Sequence, residues 1–175
     1  MKTLLTESQL RDGVDAMAKE ISDRYQDRPL TIVAVMTGSL VLLADLIRRL
    51  QMPIRVSLIQ ASSYRGGTES GSLWIKDDMM LDVSDRDVLV VDDIFDTGKT
   101  LKAVLQCIGE MQPSSIASAV LLHKEGCQVV DMEPDFVAFK IPDEFVVGYG
   151  LDYQDLYRNL PFLAVLEDSE IAATK

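Results

Sequence analysis

Three carboxylates fall within five residues in the segment Asp92 to Thr100. The segment reads Asp-Asp-Ile-Phe-Asp-Thr-Gly-Lys-Thr and follows an apolar run at 88–91. Carboxylates this close together repel one another and raise each other's pKa values, so the arrangement needs a compensating group. A divalent cation, or sugar hydroxyls that donate hydrogen bonds, would supply it. We therefore interpret Asp92, Asp93 and Asp96 as ligand-binding residues; the competing interpretation is a solvated acidic turn that begins a helix.

The four residues that follow have the composition of an anion-binding helix start. They are Thr97, Gly98, Lys99 and Thr100. Backbone N–H groups at a helix N-terminus hold a phosphate, hydroxyls add donors, and glycine permits close approach. The ending resembles that of a P-loop, but Asp93 stands where the first glycine of that motif is required, which disfavours a P-loop nucleotidase. A phosphate cradle beside carboxylates suited to a ribose diol describes a ribose 5-phosphate site.

The elements that must position these residues alternate between strands and helices. Apolar runs predict strands at 31–36, 54–59, 88–91 and 116–122, and short strands at 136–139, 145–149 and 162–166. Apolar residues at helical spacing predict helices near 6–21, 40–47 and 101–108, and 73–87 favours a hairpin or ribbon. This order is typical of an α/β fold with a parallel sheet flanked by helices on both faces. Ligands bind such sheets at the carboxyl ends of the strands, so the turns at 36–39 and 92–100 are the expected site.

Residues 88–101 resemble the signature of the type I phosphoribosyltransferases, an apolar strand followed by two acids, two apolar residues and Asp-Thr-Gly-Lys-Thr. The stretches 134–139, 141–153 and 157–161 are similar to the C-terminal region of the family's hypoxanthine-guanine branch, and the resemblance covers about residues 30–167. It implies one domain over 1–175, with a core at about 28–135 and a small hood from about 1–27 and 136–167. A flexible lid loop is implied at 62–76.

The resemblance implies a role for each matching residue. It makes Asp96 the catalytic base, which takes the N7 proton of a purine as N9 attacks the anomeric carbon. Ribose and 5′-phosphate contacts are implied for Asp92, Asp93, Asp96, Thr97, Gly98, Lys99 and Thr100, and pyrophosphate contacts for Thr37, Gly38 and Arg158. The implied lid residues are Ser63 and Tyr64, the purine contacts are Lys124, Phe145, Val146 and Asp152, and the metal ligands are Asp92, Asp93 and Asp152. A non-proline cis peptide is implied in the loop at 36–39, where Thr37 replaces a basic residue that many relatives carry.

The implied activity is the Mg²⁺-dependent transfer of the phosphoribosyl group of 5-phosphoribosyl 1-pyrophosphate (PRPP) to N9 of hypoxanthine, with guanine as a second candidate base. This is a purine salvage reaction that gives IMP or GMP and pyrophosphate, and the implied assembly is a homodimer or homotetramer. Alternatives are a relative that uses another 6-oxopurine or a pyrimidine, a PRPP-sensing regulator that binds RNA, and an inactive scaffold. Intact Asp92, Asp93, Asp96, Lys124 and Arg158 argue against the scaffold.

Composition excludes several other classes. With 17 Lys and Arg against 28 Asp and Glu, the formal net charge is −11, which opposes binding to nucleic acid. No apolar run approaches the roughly 20 residues of a membrane span, and the first ten residues lack a secretory signal, so a cytoplasmic location is expected. Cys107, Cys127 and His123 are too few for a structural zinc site. The thiols are expected to be free and buried, and none of the three residues is given a role.

Overall fold

The computed structural model describes residues 1–63, 73–76 and 80–167. The elements in this part of the chain are β1 (Lys2–Leu5), α1 (Glu7–Tyr25), β2 (Leu30–Met36), α2 (Leu40–Ile47), β3 (Ile54–Ser63), β4 (Leu73–Lys76), β5 (Asp87–Phe95), α3 (Lys99–Gly109), β6 (Ser115–Lys124), β7 (Phe136–Ile141), β8 (Val146–Val147) and β9 (Leu163–Val165). No helix within these ranges is long and apolar enough to cross a membrane.

The larger sheet has the strand order β4-β3-β2-β5-β6-β7. Its strands run parallel except β4, which pairs antiparallel with β3. Successive residues of β2 point to opposite faces, and each face has its own core. Ile32 and Ala34 pack with residues of α1 and α2, whereas Val33 and Val35 pack with residues of α3. Helices therefore cover both faces, and the predicted fold class is confirmed.

The helices form where capping and apolar spacing predict them. Thr6 caps α1 through a reciprocal capping box with Gln9, which satisfies backbone donors that the first turn leaves unpaired. The apolar residues of α1 recur every three or four positions and are buried against the sheet; they are Leu10, Val14, Met17 and Ile21. In α3 the buried face is formed by Leu101, Val104 and Ile108.

A second sheet joins the two ends of the chain in the order β1-β9-β8, with antiparallel pairing. The sequence did not predict β1, because this four-residue strand finds its partner about 160 positions away. In the larger sheet, β7 pairs parallel with β6 and contacts α1. The division into a core at about 28–135 and a hood stays a prediction. Of the predicted lid, Tyr64 and the side chain of Ser63 lie outside the described residues.

Neither Cys107 nor Cys127 forms a disulfide bond, as predicted. The expectation that they are buried is wrong, because Cys107 and Cys127 are both only half-buried. Cys107 lies on α3 beside Ile108, whose side chain belongs to the buried face, and Cys127 lies in the turn that follows β6. The type of a residue alone does not tell whether its side chain lies on the buried face of a helix or next to that face.

Candidate active site

A cavity of about 690 Å³ lies at the carboxyl ends of β2, β3 and β5. It brings together the two strand-to-helix turns and two residues from the segment between β8 and β9. Its polar lining includes Thr37, Gly38, Gln60, Asp92, Asp93, Asp96, Thr97, Gly98, Thr100, Asp152 and Arg158. Most of the residues that the sequence assigned to ribose, phosphate, pyrophosphate and metal therefore share one cavity; Lys99 is exposed and does not line it.

The two adjacent acids at the end of β5 are the most desolvated charges of the cavity. Asp92 is buried and Asp93 is half-buried, and the Asp93 N–H donates to Asp92 Oδ1 at 2.9 Å. Burial, and then the charge of Asp93, hold the pKa of Asp92 well above its usual range. Burial likewise raises the pKa of Asp93, although hydrogen bonds with Asp92 and with backbone N–H groups, and then the charge of Arg158, oppose that shift. Ionising both carboxylates is costly unless a cation or donor hydroxyls approach them.

We expect Asp92→Asn to stabilise the fold in buffer free of divalent cations. Asparagine keeps the acceptor for the Asp93 N–H but carries no charge. A raised pKa in the folded state means that stability is lost as pH rises from the unfolded pKa through the folded one. At pH 7.5 the variant should therefore melt higher than the wild type by about 2–4 °C, the shift that about 1 kcal/mol gives at this size. The difference should shrink toward pH 4; a variant that melts lower at pH 7.5 would contradict this account.

The turn that opens α3 depends on a left-handed glycine. Gly98 has φ of +81°, a conformation that glycine adopts without penalty. A Cβ at this position would also overlap the side chain of Val130. The Val129 N–H donates to the carbonyl of Thr97 at 3.0 Å, which fastens the turn to the segment after β6. The turn thus directs the N-terminus of α3 at the cavity.

The turn after β2 packs tightly against the acids. The Met36–Thr37 peptide bond is cis, which confirms that prediction. A Cβ on Gly38 would overlap the carboxylate of Asp93, and a Cβ on Gly150 would overlap the carbonyl oxygen of Gly38. The backbone of this turn is therefore held between the Asp93 side chain of β5 and the segment after β8.

The segment after β8 contributes one cation and one further carboxylate. Arg158 forms an ion pair with Asp152 at 2.8 Å and donates to the carbonyl of Gly150 at 2.8 Å. Asp152 also accepts from the N–H of Asp155 at 2.9 Å. Among the described residues that line the cavity, Arg158 is the one basic side chain against four aspartates. Thr37 adds no charge, so an anionic ligand needs additional cations here.

Lys124 lies beside the cavity, at the end of β6. Its side chain is 10% exposed, and its Nζ is 3.2 Å from Asp143 Oδ1 and 3.5 Å from Asp96 Oδ2. Gln128 donates to the carbonyls of Asp96 and Lys124 and so connects the two strand ends. The sequence had assigned Lys124 and Asp96 to one ligand, and the structure places them together.

Val146 begins β8 and Phe145 directly precedes it; neither residue lines the cavity. Phe145 is 38% exposed and meets the ring of Tyr153 edge-on, with centroids 5.4 Å apart. Val146 is buried. A ring that is partly exposed and supported by a second ring is available to stack on a planar ligand.

Two sets of side chains are candidates for metal ligands, and in the described part of the chain only the first has its ligand atoms close together. Ligand atoms of Asp96, Cys127 and Asp143 lie within 4.8 Å of one another. The Lys124 ammonium is within ion-pair distance of both these carboxylates and would repel a cation. The predicted set, Asp92, Asp93 and Asp152, lines the cavity with oxygen ligands of the kind that Mg²⁺ prefers.

Comparison with known proteins identifies the family of the chain. A family model described as the phosphoribosyl transferase domain matches residues 1–154. The chain belongs to the phosphoribosyltransferase family. Among curated phosphoribosyltransferases, the hypoxanthine-guanine phosphoribosyltransferase of Staphylococcus epidermidis is 41% identical over 94% of this chain and 92% of its own.

Solved phosphoribosyltransferases have the same fold. A crystal structure of a hypoxanthine-guanine phosphoribosyltransferase from Bacillus anthracis has a TM-score of 0.90 at 36% identity, covering 95% of this chain and 99% of that one. A mutant hypoxanthine phosphoribosyltransferase from Trypanosoma cruzi, complexed with the product IMP, has a TM-score of 0.91 at 35% identity, covering 100% and 95%.

Sequence reasoning missed Asp143 and Gln128. Both contact Lys124, at sequence separations of 19 and four residues. Asp143 stands in an unremarkable polar turn, Pro-Asp-Glu, and no spacing pattern relates it to Lys124. The pairing of β6 with β7 brings the two together, since Lys124 lies opposite Ile141 in that register.

Proposed function

We propose that the protein is a purine salvage enzyme that transfers the phosphoribosyl group of PRPP to N9 of hypoxanthine or guanine. The products would be IMP or GMP and pyrophosphate. The observation that carries the proposal is one cavity in which a helix start suited to a phosphate, an acidic pair suited to a ribose and an arginine meet. A lysine–aspartate pair suited to a purine edge adjoins that cavity.

The phosphoribosyl half of the substrate would lie over the turns after β2 and β5. Backbone N–H groups of 97–100 and the hydroxyls of Thr97 and Thr100 would hold the 5′-phosphate. Asp92 and Asp93 would accept hydrogen bonds from the ribose hydroxyls. The amides at 37–38 and the Arg158 guanidinium would bind pyrophosphate, whose oxygens match the planar fork of an arginine.

Mg²⁺ fits the excess of carboxylates over cations in the cavity, and Asp92, Asp93 and Asp152 would hold it. When bound, the ion would neutralise charge on the pyrophosphate as it leaves. The donor set consists of oxygens alone, which suits Mg²⁺ better than zinc or copper. Since Thr37 is uncharged and Arg158 already pairs with Asp152, the protein alone supplies little positive charge to this ligand.

The base would lie between Lys124, Asp96 and Phe145. The Lys124 ammonium would donate to the 6-oxo oxygen, and Phe145 would stack on the ring, a contact worth about 1–3 kcal/mol. As the N9 lone pair forms a bond to the anomeric carbon, the bond from that carbon to the pyrophosphate oxygen breaks. The electron pair leaves with pyrophosphate, and Asp96 accepts the N7 proton.

A panel of bases tests the proposal. Pyrophosphate release from PRPP and Mg²⁺ should be fast with hypoxanthine and guanine and at least about 100-fold slower with adenine, whose 6-amino group cannot accept from Lys124. Chelation of Mg²⁺ should stop the reaction. Xanthine and uracil, included in the same panel, distinguish this activity from that of a relative that uses another 6-oxopurine or a pyrimidine. No turnover on any 6-oxopurine, in a protein that still binds PRPP, would overturn the proposal and favour a PRPP-sensing regulator.

The proposal includes a homodimer or homotetramer that acts in the cytoplasm. Sedimentation velocity of the purified chain would decide the assembly, and a monomer at micromolar concentration would count against it.

A further inference from the structure

We propose that Asp143 is a positioning residue that holds the Lys124 ammonium at the purine edge and thereby sets the affinity for the base. The inference rests on the proposed function. It names the residue that makes the lysine effective as a donor to the 6-oxo group. The juxtaposition that carries it is a buried lysine between one carboxylate inside the site and one outside it.

The first observation is the environment of Lys124. Its side chain is 10% exposed, so its charge is largely removed from water and depends on its partners. Asp143 Oδ1 is 3.2 Å from Nζ, closer than Asp96 Oδ2 at 3.5 Å. Lys124 lowers the pKa of Asp143, so that carboxylate stays ionised at neutral pH.

The second observation is that only one of these carboxylates lines the cavity. Asp96 does so and, in the proposed reaction, must turn to the N7 proton. Asp143 does not line the cavity, and its side chain is 67% exposed. It can therefore stay paired with Lys124 while the base is bound. Without it, Asp96 would be the remaining carboxylate within ion-pair distance of Lys124 in the described part of the chain.

The third observation is the location of Asp143 in the chain. It lies in the turn between β7 and β8, two residues before Phe145. The end of β7, from which this turn starts, is held next to the end of β6, because the Glu125 N–H donates to the carbonyl of Ile141 at 2.9 Å. An ion pair from Lys124 to Asp143 thus fixes the donor at the edge of the purine relative to the ring that stacks on its face.

The test is steady-state kinetics of Asp143→Asn with hypoxanthine and PRPP varied separately. We expect the KM for hypoxanthine to rise about five-fold. This loss of affinity lies between the typical contribution of an exposed ion pair and that of a hydrogen bond to a buried charge. The KM for PRPP should stay within about two-fold. Asp143→Glu should recover most of the loss. Glu144→Gln removes a neighbouring exposed charge and should behave as the wild type.

Three outcomes would overturn the inference: an unchanged KM for hypoxanthine in Asp143→Asn, an equal rise in both KM values, or the same effect from Glu144→Gln. An equal rise would indicate a general structural role, and an effect of Glu144→Gln a general electrostatic one. Failure of the proposed function is a separate result, since it would appear as absence of hypoxanthine turnover in the wild type before any variant is compared.

Discussion

Asp96→Asn is expected to lower kcat on hypoxanthine by about 10²- to 10⁴-fold, the usual contribution of a general base. The substitution keeps the size and shape of the side chain but removes its ability to accept a proton. The N7 proton then has no acceptor as the bond from N9 to the anomeric carbon forms. The KM for PRPP should change little, because the phosphate cradle at 97–100 is made mainly of backbone groups.

The geometry around Asp96 makes this variant informative. Its side chain is 46% exposed, and its backbone carbonyl accepts from Gln128 at 3.0 Å, so asparagine should be accommodated without moving the turn. Asp131→Asn is a matched control, because it removes an exposed carboxylate from the loop that follows β6. Both variants should melt near the wild type. A kcat for Asp96→Asn within ten-fold of the control would exclude Asp96 as the base and leave positioning and charge as the sources of catalysis.

The parts of the site that the sequence could predict are those made within a short stretch of chain. The acids at 92–96 and the helix start at 97–100 are adjacent, and the strand that precedes them is continuous and apolar. Parallel strands bring their carboxyl ends to one edge, so the turn after β2 could be placed beside them. The cavity contains both turns.

Contacts between distant segments could not be predicted in the same way. The ion pair from Arg158 to Asp152 and the packing of Gly150 on Gly38 depend on the path of the chain after β8. Four non-glycine residues of that path, Tyr149, Gln154, Asp155 and Tyr157, have positive φ, a conformation that could not be predicted from their residue types. The resemblance to a family supplied Arg158 and Asp152 as candidates; the residues alone did not.

His123 is a residue whose type suggests catalysis but whose location does not support it. Because the imidazole of histidine can gain and lose a proton near neutral pH, a single histidine in an enzyme is a natural candidate for a catalytic acid or base. Its ring is buried and stacks on Phe95 with centroids 5.2 Å apart, and it does not line the cavity. Its Nε2 is 3.5 Å from a carboxylate oxygen of Glu133. The structure therefore gives it a packing contact beside Lys124 on β6.

Gly38→Ala is expected to lower turnover by at least about 100-fold, because a displacement of about 1 Å in a positioned site has that effect. An added Cβ would overlap the Asp93 carboxylate. The backbone cannot simply retreat, because the Gly38 carbonyl already contacts Gly150. Either the turn or Asp93 must move, and both belong to the proposed binding site for ribose and pyrophosphate. Overpacking of this kind also costs about 1–3 kcal/mol of stability.

Gly109→Ala is the matched control for Gly38→Ala. Gly109 ends α3, and a Cβ there meets no atom within 4 Å. Alanine should therefore be neutral or slightly stabilising, by up to about 1 kcal/mol, since it restricts the unfolded chain. Pyrophosphate release and melting temperature, measured for both variants, separate the effect of a methyl group at 38 from the effect of losing a glycine. If Gly38→Ala kept turnover within about three-fold of Gly109→Ala, the close packing of this turn on Asp93 could not be what positions the leaving group.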